Sequence, residues 1–451
     1  MLRGGTLGLL AGAAIGSLSG SFALTVLGGA ALGYAGWRSV PRRLGFSPWS
    51  LALLVFFAPV LTLPVAPGAD MAMHVALARG LLHGVLSPAW PRVSAMMYPR
   101  GFSAVVAGFA WLGYARAGLV AAALSYVVFW AGLTAMLESL RAPAPRTMAA
   151  VAVLLSRTPQ VFFGWGGNPT ALALGLALYG AAQEGGIGAI FTAGAAAVHP
   201  MGAIAGALPV LLRRDLPAAL WVFGGVALVL LLLTLFGPAL SPHEVAWIRD
   251  YALNQERATS GVLGDPANIA TVLSAALLLW RRRYRPLARA AGIVAVLIAL
   301  FFSLPYAGLY PVRFAPLLLV AVVPLWGEAA AAQIPMLAPL ALLAASWGHL
   351  RWYQQAGPMA SFEDLSAIEC VAKTVPPGAV IDGAYGDATQ WIPALTGHAV
   401  TRPHLHVSLF DEMPKQSAAS WRFIGDVMRY GDPVQRPAGP AQCDGHLYKL
   451  Q

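Results

Sequence analysis

The stretch Ala267-Asn-Ile-Ala-Thr-Val-Leu-Ser-Ala-Ala-Leu-Leu-Leu-Trp280 is followed by Arg281-Arg-Arg-Tyr-Arg285-Pro-Leu-Ala-Arg289, and then by Ala290-Ala-Gly-Ile-Val-Ala-Val-Leu-Ile-Ala-Leu-Phe-Phe. Two apolar runs around a cluster of arginines read as two membrane crossings joined by a basic cytoplasmic turn, because Lys and Arg concentrate in short cytoplasmic loops. Working outward, the same alternation recurs around Arg38, Arg42 and Arg43, around Arg141 and Arg146, and around Arg213 and Arg214. Apolar blocks that read as spans fall at 49–65, 118–138, 148–163, 170–183, 188–198, 202–212, 216–235, 267–280, 290–309, 312–326 and 336–350. Residues 1–36 read as one long span or as a tight hairpin broken near Ser17-Leu-Ser-Gly-Ser21, with no removable signal peptide. The resulting expectation is a polytopic α-helical membrane protein with about 12 transmembrane helices (11–13) over residues 1–350.

Composition points the same way. Of 451 residues, 58% are hydrophobic and 11% charged, and the mean hydropathy is +0.66. Soluble chains carry about 25% charged residues. Abundant Gly and Ala suit close helix contact in lipid. The net charge of +10 is spread over clusters between apolar blocks. Nucleic-acid binding would need those cations on one accessible face, so it is not expected.

The stretch 67–116 reads as the first extracytoplasmic loop, with surface helices. Within it, 102–114 is expected to be an interfacial or re-entrant helix, because counting it as a span would put Arg141 and Arg146 on the outer side. From 351 to 451 acidic, polar and Pro residues reach ordinary soluble frequencies, which predicts a small α/β extracytoplasmic domain. Helices are expected at 363–375 and 421–430, and strands at 379–382 and 446–450. Both cysteines of the chain, Cys370 and Cys443, fall here. They read either as a disulfide in an oxidising compartment or as two buried thiols.

Asp70 and His74 lie one helical turn apart and project from one face of a short helix. A carboxylate there can act as general base toward a hydroxyl, or it can merely cap the helix. Arg313 offers a fixed charged fork for a phosphate, or snorkels to the interface. His199, before Pro200, reads as a cavity ligand or as the outer end of a helix. Trp165, Asn168, Glu244, Trp247 and Arg249 are outer-loop residues that line a shared cavity or anchor the interface. His404 and His406 have alternate spacing that suits one strand face, but further metal ligands are not evident. No Walker-type loop, HExxH motif, GxSxG elbow or dinucleotide fingerprint occurs in a suitable context.

Four patches resemble the GT-C-type polytopic glycosyltransferases of bacterial membranes. They are Gly68-Ala-Asp70-Met-Ala-Met-His74, Tyr98-Pro-Arg100-Gly-Phe102, Tyr310-Pro-Val-Arg313-Phe-Ala-Pro316 and Trp391-Ile-Pro-Ala-Leu-Thr-Gly397. The resemblance implies a GT-C-like fold and transfer of a sugar from a polyprenyl-phosphate donor to a glycan, lipid or protein acceptor. Asp70 would be the catalytic carboxylate, with Arg313, His74, His199, Tyr98, Arg100, Tyr310, Glu244 and Trp247 binding substrate or donor phosphate. It also implies the bacterial cytoplasmic membrane, with the C-terminal domain extracytoplasmic. A divalent cation, Mg or Mn, is the candidate cofactor. Asp70 has no adjacent acidic partner, unlike the metal-dependent oligosaccharide-transferring members. The rival readings are a transporter or flippase of a lipid-linked or anionic substrate, and a non-enzymatic assembly protein.

Overall fold

Glycines spaced four residues apart let the N-terminal chain fold back on itself. Gly8, Gly12 and Gly16 line one side of helix α1 (Leu2–Ser17), and a Cβ on any of them would collide with a backbone carbonyl of helix α2 (Phe22–Ser39). Serines form the bend: Ser17 Oγ donates to Ala14 O and Ser19 Oγ to Gly16 O, both at 2.7 Å. These local bonds compete with helix continuation. The 1–36 segment is therefore a hairpin rather than one long span.

The computed structural model describes residues 2–19, 21–39, 58–83, 99–139, 167–183, 186–199, 358–403, 415–428 and 433–450, with isolated positions at 146, 149 and between 217 and 231. A 3-10 turn at Ala58–Thr62 precedes helix α3 (Ala69–His83). Then come α4 (Gly101–Gly108), a 3-10 turn at Ala110–Leu112, α5 (Tyr114–Ser139), α6 (Asn168–Ala181) and α7 (Gly186–Val198). Small residues bring these helices together at close range. Gly132 of α5 meets Gly175 of α6, Gly180 meets Gly188 of α7, Gly194 meets Ala11 of α1, and Gly101 meets the Ala197 carbonyl. Every residue of α6 is buried.

This packing corrects the expected span count. Among the described residues one helix, Tyr114–Ser139, is long and apolar enough to cross a membrane, against the expected bundle of about 12 spans with a GT-C-like fold. The runs read as spans at 170–183 and 188–198 are helices of 14 and 13 residues. At 1.5 Å per residue each is about 20 Å long, short of a hydrocarbon core of about 30 Å. Most of their apolar side chains are buried among the packed helices, so apolar composition alone overcounted crossings among the described residues. The stretch 102–114, expected to be an interfacial or re-entrant helix, is the short helix α4 followed by a 3-10 turn. Residues Gly101 to Ala107 are buried, and the following 3-10 turn leaves Trp111 79% exposed. The expected spans at 148–163, 202–212, 267–280, 290–309, 312–326 and 336–350 lie wholly or almost wholly outside the described residues, and those at 49–65 and 216–235 are described only in part.

The C-terminal part is a mixed five-stranded sheet. Its strands are β1 (Val380–Asp382), β2 (Ala399–Val400), β3 (Trp421–Phe423), β4 (Ala441–Gln442) and β5 (Leu447–Lys449), in the order β2-β1-β3-β5-β4. β1 pairs parallel with β2 and β3, while β5 runs antiparallel to β3 and β4. Helix α8 (Phe362–Thr374) opens with a capping box, in which Ser361 Oγ accepts from the Asp364 N–H and Asp364 Oδ2 accepts from the Ser361 N–H. The helix expected at 421–430 is corrected. Trp421 and Phe423 point inward and Arg422 is half-exposed, a period-2 pattern that fits a strand between β1 and β5. A 3-10 turn, Ala388–Trp391, runs into the short helix α9 (Ile392–Leu395). Cys370 on α8 and Cys443 beside β4 form a disulfide.

Candidate functional site

Helix α3 carries the first candidates. It begins at Ala69, so Asp70 lies within the first turn rather than at the capping position before it. A carboxylate there is favoured by the partial positive charge of the helix N-terminus. Asp70 is half-buried, and His74, one turn on, is 4% exposed. The His74 ring packs edge-on against Phe102 of α4, with centroids 5.0 Å apart. Met71 Sδ accepts from Asn168 Nδ2 at 3.2 Å, and Asn168 Oδ1 accepts from Tyr126 Oη at 3.2 Å.

The start of α4 continues this neighbourhood. Arg100 stands immediately before α4 and is half-buried. Burial pulls its guanidinium below the ordinary arginine value. The next residue, Gly101, abuts the carbonyl of Ala197, two residues before His199. His199 is half-buried, and its N–H donates to Ala195 O at 2.8 Å. Asp70, His74, Arg100, Asn168 and His199 are thus linked through a continuous set of packed neighbours on α3, α4, α6 and α7. Tyr98, Tyr310, Arg313, Glu244 and Trp247 lie outside the described residues, as do Trp165, Arg249, His404 and His406.

Arg79, which the sequence did not single out, joins α3 to the C-terminal part. Its Nη1 donates to Leu395 O at 2.8 Å and its Nη2 to Thr396 O at 3.2 Å. Gly397 follows with φ 84°, the left-handed turn that ends α9 and that favours glycine, and it lies in ordinary contact with the guanidinium. The Trp391–Gly397 stretch is therefore seated against the helix that carries Asp70 and His74. Nothing in the one-dimensional pattern marks Arg79, because its partners are backbone carbonyls more than three hundred residues away.

A second cluster lies in the C-terminal part. Asp364, Asp426 and His446 could hold an ion, with ligand atoms within 4.8 Å of one another. The donor set fits a metal poorly. Both Asp364 oxygens already accept backbone N–H groups, from Ser361 and Asp426, and His446 Nδ1 lies 2.8 Å from Ile424 O. These bonds read as structural ties between α8, β5 and the loop after β3. Nearby Asp387 accepts from Thr389 N–H at 2.9 Å, and burial pushes its carboxyl up to about 6, partly offset by the Thr389 bonds. The Ser361-Phe-Glu-Asp364 spacing is a capping-box signature that could have located this cluster from sequence.

Neither a search of protein-family models nor a comparison with curated proteins finds a match for this chain.

Proposed function

We propose that the chain is a glycosyltransferase that moves a sugar from a polyprenyl-phosphate donor to an acceptor hydroxyl. The observation that supports this reading is convergence. Two of the patches that resemble GT-C enzymes, around Arg100 and Trp391, pack against α3, the helix that carries the third, around Asp70, although the three are spread over more than three hundred residues. The reading rests on this site and does not depend on the number of membrane crossings. The Cys370–Cys443 bond supports an oxidising, extracytoplasmic setting for the C-terminal part.

In this reading Asp70 takes the proton of the acceptor hydroxyl as its oxygen attacks the anomeric carbon. The bond from that carbon to the phosphate oxygen breaks, and polyprenyl phosphate leaves with the electron pair. Arg100 stabilises the charge that develops on the leaving phosphate. His74 packs on Phe102 and fixes α4 against α3, which orients the two groups. Removing a general base costs about 10²- to 10⁴-fold in rate. The purified full chain carrying Asp70→Asn should therefore lose that much turnover with a panel of labelled polyprenyl-phosphate sugars, with chelator and divalent cations varied. Equal turnover by the variant overturns the mechanism. Movement of the donor across vesicles without sugar transfer replaces it with a flippase.

A further inference from the structure

Among the described residues, the first turn of α4 gathers donors that lack an acceptor. No side chain caps this eight-residue helix, and among the described residues no carbonyl accepts the N–H groups of Gly101 and Ser103, while Phe102 N–H turns toward the Pro99 carbonyl in the tight turn at Arg100. The Ala197 carbonyl stands beside Gly101 without taking its N–H. Ser103 is fully buried, and its hydroxyl has no hydrogen-bond partner. Side chains in a first turn tilt toward the helix N-terminus, so this hydroxyl leans to the same end as the free N–H groups. Arg100, at the capping position, brings a cation with no carboxylate partner among the described residues.

Each of these features alone costs stability. A buried hydroxyl without a partner is unfavourable, and so is a half-buried guanidinium without a counter-charge. A single ligand would satisfy all of them. It must be an anion with several acceptor oxygens, compact enough to meet backbone N–H groups at a helix end.

We propose that the N-terminus of α4 is a phosphate-binding site, formed by the N–H groups of Gly101 and Ser103, the Ser103 hydroxyl and the Arg100 guanidinium. The site deepens the glycosyltransferase reading, on which it rests for the identity of the phosphate as that of the lipid-linked donor. His74, one helical turn after Asp70, packs on Phe102, so the proposed phosphate would lie on the helix pair that carries the carboxylate. Arg100 and Ser103 then take the role that the sequence assigned to Arg313.

The test measures binding rather than turnover. The full chain is titrated with inorganic phosphate by calorimetry, and in a second arm it is mixed with phosphatidylcholine vesicles with and without polyprenyl phosphate. Ser103→Ala should weaken phosphate binding about fivefold and Arg100→Met about 10- to 100-fold, as expected for a neutral and a charge-assisted hydrogen bond. The exposed control Arg116→Gln should bind like the parent. Ser103→Ala should also leave the unliganded protein at least as stable as the parent, because it deletes an unsatisfied buried group. That variant carries the test if Arg100→Met fails to fold. Weakening in both arms supports a general phosphate site, and weakening with vesicles alone supports one that needs the lipid tail. Parent-like affinity of Ser103→Ala and Arg100→Met in both arms overturns the site. Phosphate binding that depends on Ser103, without any sugar transfer, leaves the site standing and removes the glycosyltransferase reading.

Discussion

Asp387 carries a pH dependence that its position dictates. Its carboxyl is 3% exposed, its Oδ1 accepts from Thr389 N–H, and Asp364 nearby adds like charge. Burial raises its folded value from the ordinary 3.8 to about 6, so the folded chain binds this proton more tightly than the unfolded chain. The contribution is therefore fully present below about 4 and is lost as pH rises through about 6. Two units correspond to about 3 kcal/mol, an order of magnitude only. Asp387→Asn keeps the acceptor for Thr389 and removes the charge. It should flatten the pH 4–6 slope of stability in the C-terminal part and raise protection at pH 7, read by hydrogen exchange of peptides from 358–450. Parallel profiles for parent and variant would show that the residue stays ionised throughout. Single residues were unevenly legible in the sequence. Asp70 stands out because a carboxylate after Pro67-Gly68 interrupts an apolar chain. Ser103 does not, because a serine among Phe, Ala and Val carries no pattern until its hydroxyl is seen to lack a partner.

At the scale of elements, glycine spacing rather than apolar length governs how the helices meet. Gly12 faces the Gly28 carbonyl so closely that any Cβ must push α1 and α2 apart. Gly5, near the open end, has only ordinary contacts with Trp37 and Gly33. Gly12→Ala should destabilise the hairpin by about 1–3 kcal/mol through overpacking. Gly5→Ala should stabilise it by about 0.5–1 kcal/mol, because alanine loses less backbone freedom in a helix. Thermal melting followed by circular dichroism separates the two, and equal effects would mean that the backbones are not in contact. The same chemistry explains the overcounted spans. Ala- and Gly-rich runs such as Gly186–Val198 are apolar enough to suggest crossings, yet their small residues let each helix bury itself on another. In the C-terminal part the helix at Phe362–Thr374 was legible from its acidic start and the Pro376-Pro377-Gly378 stop. The strand at Trp421–Phe423 was misread as helix, because three residues give too short a period to separate the two without their sheet neighbours.

Across the whole molecule, two links of different kind hold the C-terminal part in place. The Cys370–Cys443 bond closes a 73-residue separation within it, and Cys370→Ser should cost about 4 kcal/mol by release of chain entropy in the unfolded state. Arg79 instead ties it to α3 through two carbonyls at the end of α9. A sequence reading offers the first link as one of two alternatives, a disulfide or two buried thiols, but does not point to the second, whose acceptors are backbone atoms 316 and 317 residues away. The two links should fail differently. Arg79→Met keeps the apolar stem and its packing while removing the charge-assisted hydrogen bonds, each worth about 1.5–3 kcal/mol. The hydrogen-bond partners described for Arg79 lie at the end of α9 and not in strands β1 or β3, so exchange protection of those strands should stay at the parent level in the variant. Peptides covering Ala388–Trp391, Ile392–Leu395 and α3 should exchange faster, because these are the surfaces that the guanidinium clamps together. Cys370→Ser should show the reverse, with loss across the sheet and little change in α3. If Asp70 acts beside the Trp391–Gly397 stretch, Arg79→Met should also lower the rate of sugar transfer while phosphate affinity at α4 stays unchanged. Uniform loss of protection in both variants would mean that the helices and the sheet unfold as one cooperative unit, and Arg79 would then be a general stabiliser with no separate role in placing the site.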